Sequence, residues 1–308
     1  MIICIDKDYL NTIGEVKASQ LYCEALENEH FFDGKGDSMD VIRDSVEKHA
    51  SSYQKELMKT GKTISLTGKL RKFLTTLKAS DFSFDDLVRI LNKPSKVLVE
   101  NSVYEGPVYD NMIQIYERDP SFRNLYLKLK EARKTGRLEY GHSGGFGNFL
   151  GLLEQADAEG YRGIAKYKFC TVIDRDADGP EYTRLSTRDT LFKFLSGKDS
   201  SQLGDDDIYT LKQSKYIWHM WYKREIENYF PDEQYERIGV HTNRWPAIPI
   251  DRNYKKISKG TGFSKDKLKD LTKGMSRELY EAGLQSFYHQ GGRVSEIQLF
   301  LLKLVKLI

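Results

Sequence analysis

The stretch that decides the fold class runs Tyr167-Lys-Phe-Cys-Thr-Val-Ile-Asp174-Arg-Asp176-Ala-Asp178-Gly-Pro180. Its first part is largely apolar and contains β-branched residues, which is typical of a strand buried on both faces. Three aspartates follow at alternating positions, and Gly-Pro then ends the segment. The pattern predicts a buried strand with a group of carboxylates at its carboxyl end.

Three more strand candidates surround this one: Ser95–Glu100, Leu138–His142 and Tyr216–Trp221. Helices are predicted between them, at about 108–118, 121–133, up to 157 and 188–195. Strands that alternate with helices predict an α/β fold with a mainly parallel sheet and right-handed crossovers. We place this domain at residues 94–235.

The flanking regions are predicted to be helical. In residues 1–93, a long polar helix starts near Ser38, and Ser83 with Asp86 forms a helix-capping pattern. Four apolar residues in this region recur at helical spacing, namely Leu70, Phe73, Leu74 and Leu77. We expect a mainly helical support or docking region here. Residues 236–308 are predicted to be a basic helical tail that ends in an amphipathic helix, 295–308.

Composition excludes several classes of protein. The 308 residues include 39% hydrophobic side chains, which excludes wholesale disorder. No apolar run reaches the roughly 18 residues of a membrane helix. The three cysteines are far apart, which excludes a disulfide scaffold or a zinc ribbon. We expect a reduced, cytoplasmic protein with no membrane partner.

The net charge of +3 is unevenly distributed along the chain. Residues 251–308 contain 12 basic and 6 acidic side chains, a surplus that points weakly to a polyanion partner. Aromatic and basic residues also interleave there, in Arg252-Asn-Tyr254-Lys-Lys256 and Phe263-Ser-Lys265. Such interleaving suits a nucleic-acid surface, and it suits an ordinary helix surface equally well.

Acidic residues follow three of the predicted strands: Glu100, then Asp174, Asp176 and Asp178, and finally Glu225 and Glu227. Ligands of open α/β sheets bind beyond the carboxyl ends of the strands, so these side chains are expected to share one edge. Clustered carboxylates repel one another, and a divalent cation with oxygen ligands relieves that repulsion. A solvated acidic turn is the alternative for each cluster taken alone.

The glycine stretch Gly145-Phe-Gly147-Asn-Phe-Leu-Gly151 has two interpretations. It fits a variant of the dinucleotide-binding fingerprint, in which backbone N–H groups at a helix start approach a phosphate. It also fits a tight turn that needs glycine for its backbone. The nearest strand-end acid, Asp174, belongs to an acidic cluster that would repel a pyrophosphate, so an NAD site is disfavoured.

Taken together, these motifs resemble the TOPRIM domain, which topoisomerases, bacterial primases, small RNA-processing nucleases and OLD-family nucleases share. The resemblance consists of a strand ending in Glu100, glycines 144, 145 and 147, and a strand ending in Asp174 and Asp176. The segment Lys223-Arg-Glu-Ile-Glu-Asn-Tyr-Phe230 is similar to the "EIENY" element of the OLD and AriB-like branch. AriB-like proteins are effector nucleases of the PARIS anti-phage system, and an ABC-type ATPase is their partner.

The resemblance implies a TOPRIM-like fold and an endonuclease that hydrolyses DNA or RNA with Mg²⁺ or Mn²⁺, as two ions. It implies a metal-ligand set made up of Glu100, Asp174, Asp176, Asp178 and Glu227, in which Glu100 is alternatively a general base. Lys223 would lie near the scissile phosphate, and Glu225, Gly145 and Gly147 would be accessory. An ABC- or SMC-like ATPase partner follows from the same resemblance, while a homo-oligomer is left open.

One departure from the family pattern affects the first motif. After the first Glu the family has Gly and then an Asp, whereas Asn101 and Tyr104 occupy those positions here. Glu105 is the candidate to replace the Asp through a one-residue insertion. The departure supports an alternative function, a catalytically silent TOPRIM-like subunit that binds nucleic acid or an ATPase partner.

Overall fold

The computed structural model describes residues 1–34, 36–60, 68–176, 186–204, 214–245, 252–257, 262–284 and 286–308. Asp178, the third aspartate of the predicted cluster, lies outside these residues. Over the described ranges the chain is an α/β protein with parallel sheets flanked by helices, as the sequence predicts. None of its described helices is both long enough and apolar enough to cross a bilayer.

A small parallel sheet lies in the N-terminal region, where the sequence predicts only helices after a short apolar start. Its strands are β1 (Ile2–Ile5), β2 (Phe31–Gly34) and β3 (Thr76–Lys78), in the order β2-β1-β3. The helices around it are α1 (Lys7–Ile13), α2 (Glu15–Glu27), α3 (Gly36–His49), α4 (Ser52–Thr60), α5 (Gly68–Arg71) and α6 (Phe84–Asn92).

This sheet was not predicted because its strands have only three or four residues each. Periodicity does not distinguish apolar runs of that length from helices. Leu70 lies in the four-residue α5 and Leu77 lies in β3, so the helical spacing of this segment predicts the wrong element. The capping prediction is confirmed, since the Ser83 side chain accepts a hydrogen bond from the N–H of Asp86.

The central sheet has four parallel strands in the order β5-β4-β6-β7. The strands are β4 (Ser95–Val99), β5 (Leu138–His142), β6 (Phe169–Ile173) and β7 (Ile217–Met220). The helices between them are α7 (Ser102–Tyr116), α8 (Arg123–Lys134), α9 (Phe149–Ala158), α10 (Ala165–Lys168) and α11 (Ser186–Ser196). All four strands lie where the sequence predicts them, and β6 is buried at every position.

Helix α7 begins well before its predicted start near residue 108. The Asn101 side chain caps it by accepting a hydrogen bond from the N–H of Val103 at 3.2 Å. Pro107 lies inside the helix, which continues through it although proline has no N–H to donate. The early start places Glu105 in the first turn of α7, directly after β4, with its side chain buried.

The remaining elements are α12 (Asp232–Arg237), α13 (Leu268–Leu271), α14 (Arg277–Glu281), β8 (Ser286–His289), β9 (Gly292–Ser295) and α15 (Glu296–Val305). Strands β8 and β9 form an antiparallel hairpin, so the C-terminal region is not purely helical. Helix α15 is buried at every position and packs against α8 and β7, so the prediction of an amphipathic helix is wrong. A helix that is buried on every face is a core helix, even though α15 contains Glu296, Gln298 and Lys303.

The basic C-terminal region accordingly presents less charge to solvent than its composition suggests. Lys303 is buried in α15, where its ammonium donates a hydrogen bond to the carbonyl of Trp218 at 3.0 Å. The aromatic rings of Tyr254 and Phe263 are also buried. These two rings are therefore part of the core and do not form a stacking surface for bases.

Candidate active site

The candidate site lies at the carboxyl edge of the central sheet, the usual place for a ligand in an open α/β sheet. Glu100 directly follows β4, and Asp174 directly follows the neighbouring strand β6. The parallel pairing of Leu98 with Thr171 places these strand ends side by side. The structure therefore brings Glu100 and Asp174 to one edge, as the sequence predicts.

Asp174 is buried at the centre of this edge. Its carboxylate accepts a hydrogen bond from the N–H of Ile226 at 3.2 Å, which connects the end of β6 to the turn that follows β7. Burial raises the pKa of Asp174 well above its ordinary value, and the positive charge of Lys265 opposes the shift. Three neighbouring carboxylates raise this pKa further, those of Glu227, Glu105 and Glu100.

Glu100 has a similar electrostatic environment. Burial raises its pKa first, and the charges of Asp176 and Glu227 add to the shift. Lys265 again opposes it. Each carboxylate disfavours the ionisation of the others, and Lys265 and Arg188 only partly oppose this effect on Glu100.

The glycine-rich loop after β5 supports the backbone of Glu100. The N–H of Gly144 donates a hydrogen bond to the carbonyl of Glu100 at 3.1 Å. Gly144 and Gly145 have φ values of 73° and 128°, in the region that favours glycine. At Gly147 a Cβ would meet no atom within 4 Å, so nothing in the structure requires glycine there. Of the two glycines predicted as accessory, Gly145 alone has a backbone conformation that requires glycine.

Glu105 is also part of the cluster, although it comes from a helix and not from a strand end. Its two oxygens accept hydrogen bonds from the N–H of Asn101 and from the hydroxyl of Tyr109, both at 2.8 Å. Burial raises the pKa of Glu105 to about 7, while these two hydrogen bonds lower it. The irregular segment after β4 thus does supply a carboxylate to the site.

The "EIENY" segment forms a 3₁₀ turn, Ile226–Tyr229, and most of its residues have a structural task. The Asn228 side chain accepts a hydrogen bond from the N–H of Glu225 at 3.1 Å and donates one to the carbonyl of Lys255 at 2.8 Å. The hydroxyl of Tyr229 donates to the carboxylate of Glu296 in α15. These contacts hold the turn rigidly against the sheet edge.

Glu227, in the same turn, has an ion pair through its side chain but no hydrogen bond within the described residues. It is fully buried, and neither carboxylate oxygen has a hydrogen-bond partner among the described residues. Its Oε1 lies 3.2 Å from Nζ of Lys265, as an ion pair. A buried carboxylate normally has its hydrogen-bonding capacity filled, so the unfilled capacity of Glu227 is available to a further ligand.

Glu225 lies beside Glu227 and is mostly buried. Its Oε1 lies 3.2 Å from Nε of Arg224. Burial and the charge of Glu227 raise the pKa of Glu225 to about 7, with Lys265 opposing. A carboxyl group in this state can hold or release a proton near neutral pH.

Asp176 reaches the rim of the cluster, but two arginines hold its carboxylate. Its Oδ2 lies 3.2 Å from Arg188, and its Oδ1 lies 3.8 Å from Arg224. The Asp176 backbone has φ of 60°, and its N–H donates to the carbonyl of Arg224 at 2.8 Å. Of the two aspartates that follow β6, Asp174 faces the carboxylates and Asp176 faces the guanidinium groups.

Lys223 is held by backbone carbonyls, and its position near a scissile phosphate stays a prediction. Its side chain is buried, and its ammonium donates to the carbonyls of Asn228 and Ala282, both at 3.3 Å. It also lies over the ring of Tyr229, 4.9 Å from the centroid. Through these contacts Lys223 connects the 3₁₀ turn to the C-terminal region.

Lys265 is the lysine that the structure places among the carboxylates, and sequence reasoning did not assign it to the site. It begins the 3₁₀ turn Lys265–Lys267. Although burial opposes the shift, the charge of Glu227 and of other cluster carboxylates raises the pKa of Lys265 above its ordinary value. The one available signal was its position in a basic and aromatic stretch, which predicted a surface role.

The donor chemistry of the cluster fits Mg²⁺ or Mn²⁺, since both prefer oxygen ligands and the Glu227 carboxylate accepts no hydrogen bond from the part of the chain that the structure describes. Over the described residues, however, no three acidic, histidine or cysteine side chains are arranged as a ready metal site. The ammonium of Lys265 lies where the carboxylates converge. A cation would require these side chains to move closer together.

Comparisons with protein-family models, curated proteins and solved structures find no match to this chain.

Proposed function

We propose that this chain is a metal-dependent phosphodiesterase of the TOPRIM type, an endonuclease acting on DNA or RNA with Mg²⁺ or Mn²⁺. The observation that supports it best is the buried carboxylate of Glu227, which among the described residues has an ion pair with Lys265 but no hydrogen bond, and which adds to the charge on the other acidic side chains at the sheet edge. Burying such a group costs free energy, and a bound cation would offset that cost. The same arrangement has no evident benefit for stability alone.

In this proposal the metal-binding residues are Glu100, Asp174 and Glu227, with Glu105 close by. A bound divalent cation supplies Lewis-acid stabilisation of charge on a phosphodiester. Glu225 exchanges a proton near neutral pH, because its pKa is raised to about 7. Arg188 and Arg224, which hold Asp176, are the guanidinium groups that would bind a phosphate oxygen in this proposal.

The biological role that we propose follows from the family resemblance. The chain would be a cytoplasmic effector of anti-phage defence, controlled by an ABC- or SMC-like ATPase partner. Co-expression with such an ATPase tests this role, since the complex should copurify and nucleic-acid cleavage should depend on the partner.

The activity itself is tested with purified protein, plasmid DNA and a mixed tRNA substrate. We expect cleavage with Mg²⁺ or Mn²⁺ and none with EDTA. The Glu100→Gln and Asp174→Asn variants should lose at least a hundredfold in rate, an expected loss comparable to that of removing one catalytic electrostatic group, about 10²–10³. Glu139→Gln, which changes an exposed residue of β5, is the matched control and should retain full activity. Full activity in both site variants would contradict the proposal.

A second candidate function is the catalytically silent subunit, which binds nucleic acid or an ATPase without cutting. The presence of Lys265 in the cluster favours it, because an ammonium already balances part of the negative charge. Calorimetric titration with Mn²⁺ separates the two functions. A silent subunit should show no Mn²⁺ binding that depends on Asp174, whereas a nuclease should.

A further inference from the structure

We propose that the ammonium of Lys265 occupies the position of a divalent cation, and that metal binding displaces it. This inference rests on the proposed metal-dependent function and names the residue that would set the metal affinity. Its basis is the ion pair between Lys265 and Glu227, at 3.2 Å, in a cluster that otherwise contains mainly carboxylates.

The charges of the cluster favour such an exchange. On both Glu100 and Asp174 the strongest charge interaction is with Lys265, although Lys265 approaches within ion-pair distance only Glu227 among the described residues. Lys265 therefore acts on the whole group from one position near its centre. A divalent cation at that position doubles the positive charge, and the excess of carboxylates would bind it more strongly than a lysine.

Lys265 is also free to leave, in contrast to other buried lysines of the fold. About a third of its side chain is exposed (32%), and Glu227 is its only ion-pair partner in the described ranges. Lys223 and Lys303, in contrast, are buried and held by backbone carbonyls. The long side chain of Lys265 can therefore turn toward solvent while its backbone stays in place.

The neighbouring lysine supports a fixed backbone for this turn. Nζ of Lys267 donates a hydrogen bond to the carbonyl of Gly262 at 2.7 Å, which connects the 3₁₀ turn to the segment before it. Leu268, which follows directly, is fully buried. The turn is thus anchored on both sides of Lys265, and a movement of the side chain alone is enough to open the cation position.

The test compares Mn²⁺ binding by the full chain and by its Lys265→Met variant, by calorimetry at pH 7. We expect the variant to bind Mn²⁺ at least tenfold more tightly, because it has no competing ammonium. Lys269→Met, an exposed lysine close by in α13, removes the same charge outside the cluster and should leave the affinity unchanged.

A second measurement uses the unmodified protein and does not depend on the folding of a variant. Acetylation of lysines, followed by mass spectrometry, should show Lys265 reacting faster when Mn²⁺ is present, while Lys269 reacts at the same rate. Equal or weaker Mn²⁺ binding by Lys265→Met, or unchanged labelling of Lys265 in Mn²⁺-bound protein, overturns the displacement alone. Absence of Mn²⁺ binding by both proteins overturns the proposed metal-dependent function as well.

Discussion

Nζ of Lys265 lies 3.2 Å from Oε1 of Glu227, and this ion pair joins a 3₁₀ turn of the C-terminal region to the carboxyl edge of the central sheet. Both partners come from outside the strands, and both act on Glu100 and Asp174 at the strand ends: Lys265 opposes the rise of their pKa values, whereas Glu227 adds to it. The site is therefore completed by a tertiary contact. Deprotonation or substitution of these side chains should therefore change the stability of the protein and its binding of a cation in opposite directions.

The first prediction concerns Glu225→Gln in the presence of EDTA. The pKa of Glu225 is raised from 4.5 to about 7 in the folded protein, so between these pH values the folded state holds a proton that the unfolded state has lost. Stability therefore falls as pH rises through this range. The Gln variant avoids that loss and should be more stable than the natural protein by about 1–3 kcal/mol at pH 8, with no difference at pH 4. Urea unfolding at both pH values measures this.

A Glu225→Gln protein that is less stable than the natural chain at pH 8 would contradict this assignment. Glu139→Gln, at an exposed position, should show no change at either pH. The expected gain is typical of functional sites, where a residue kept for chemistry costs stability.

The second prediction compares two glycines of the loop after β5. Gly145 has φ of 128°, so Gly145→Ala should cost about 1–3 kcal/mol of unfolding free energy through backbone strain. Gly147 has open space around it, so Gly147→Ala should change stability by less than about 0.5 kcal/mol. Denaturant unfolding of the two variants checks the difference. Equal losses in both would show that the loop conformation is not what requires glycine.

The strand-end carboxylates could be predicted from the sequence because topology alone places them. Glu100 and Asp174 follow apolar runs, and neighbouring parallel strands must end at the same edge. For Glu105 the sequence predicts only that it replaces the Asp of the family pattern, since its position depends on how early α7 begins. The start of a helix depends on capping and packing together, which a single sequence indicates poorly.

Lys265 could not be predicted because no local pattern connects it with the sheet. It reaches Glu227 through the packing of the C-terminal region, and its neighbours in sequence suggested a surface. Lys223, which lies next to the acidic motif in sequence, instead binds the carbonyls of Asn228 and Ala282. Sequence proximity thus selects Lys223, whereas the fold brings Lys265 to Glu227.

The third prediction concerns the hydrogen bond from Tyr229 to Glu296. Tyr229→Phe removes a hydrogen-bond donor from the fully buried carboxylate of Glu296. The variant should lose about 1–3 kcal/mol of unfolding free energy. This bond lowers the pKa of Glu296, which burial raises to about 7, so its loss raises that pKa further. The loss of unfolding free energy in the variant should therefore grow as pH increases from 5 to 8. Tyr288→Phe, at an exposed tyrosine, is the control, and a deficit independent of pH would contradict the assigned role of Glu296.

The fourth prediction concerns Lys303, whose burial lowers its pKa from 10.5 to about 7. Between these values the unfolded state holds a proton that the folded state has lost, so Lys303 makes the natural protein more stable as pH rises. Lys303→Met removes this dependence, which amounts to at most about 1.4 kcal/mol for each pH unit. Measured by urea unfolding from pH 6 to 10, the variant should be the more stable protein at pH 6 and lose that advantage by pH 10. Lys273→Met, at an exposed position, is the control and should keep the pH dependence of the unfolding free energy seen in the natural protein. If Lys303→Met also keeps that dependence, the buried ammonium is not the titrating group.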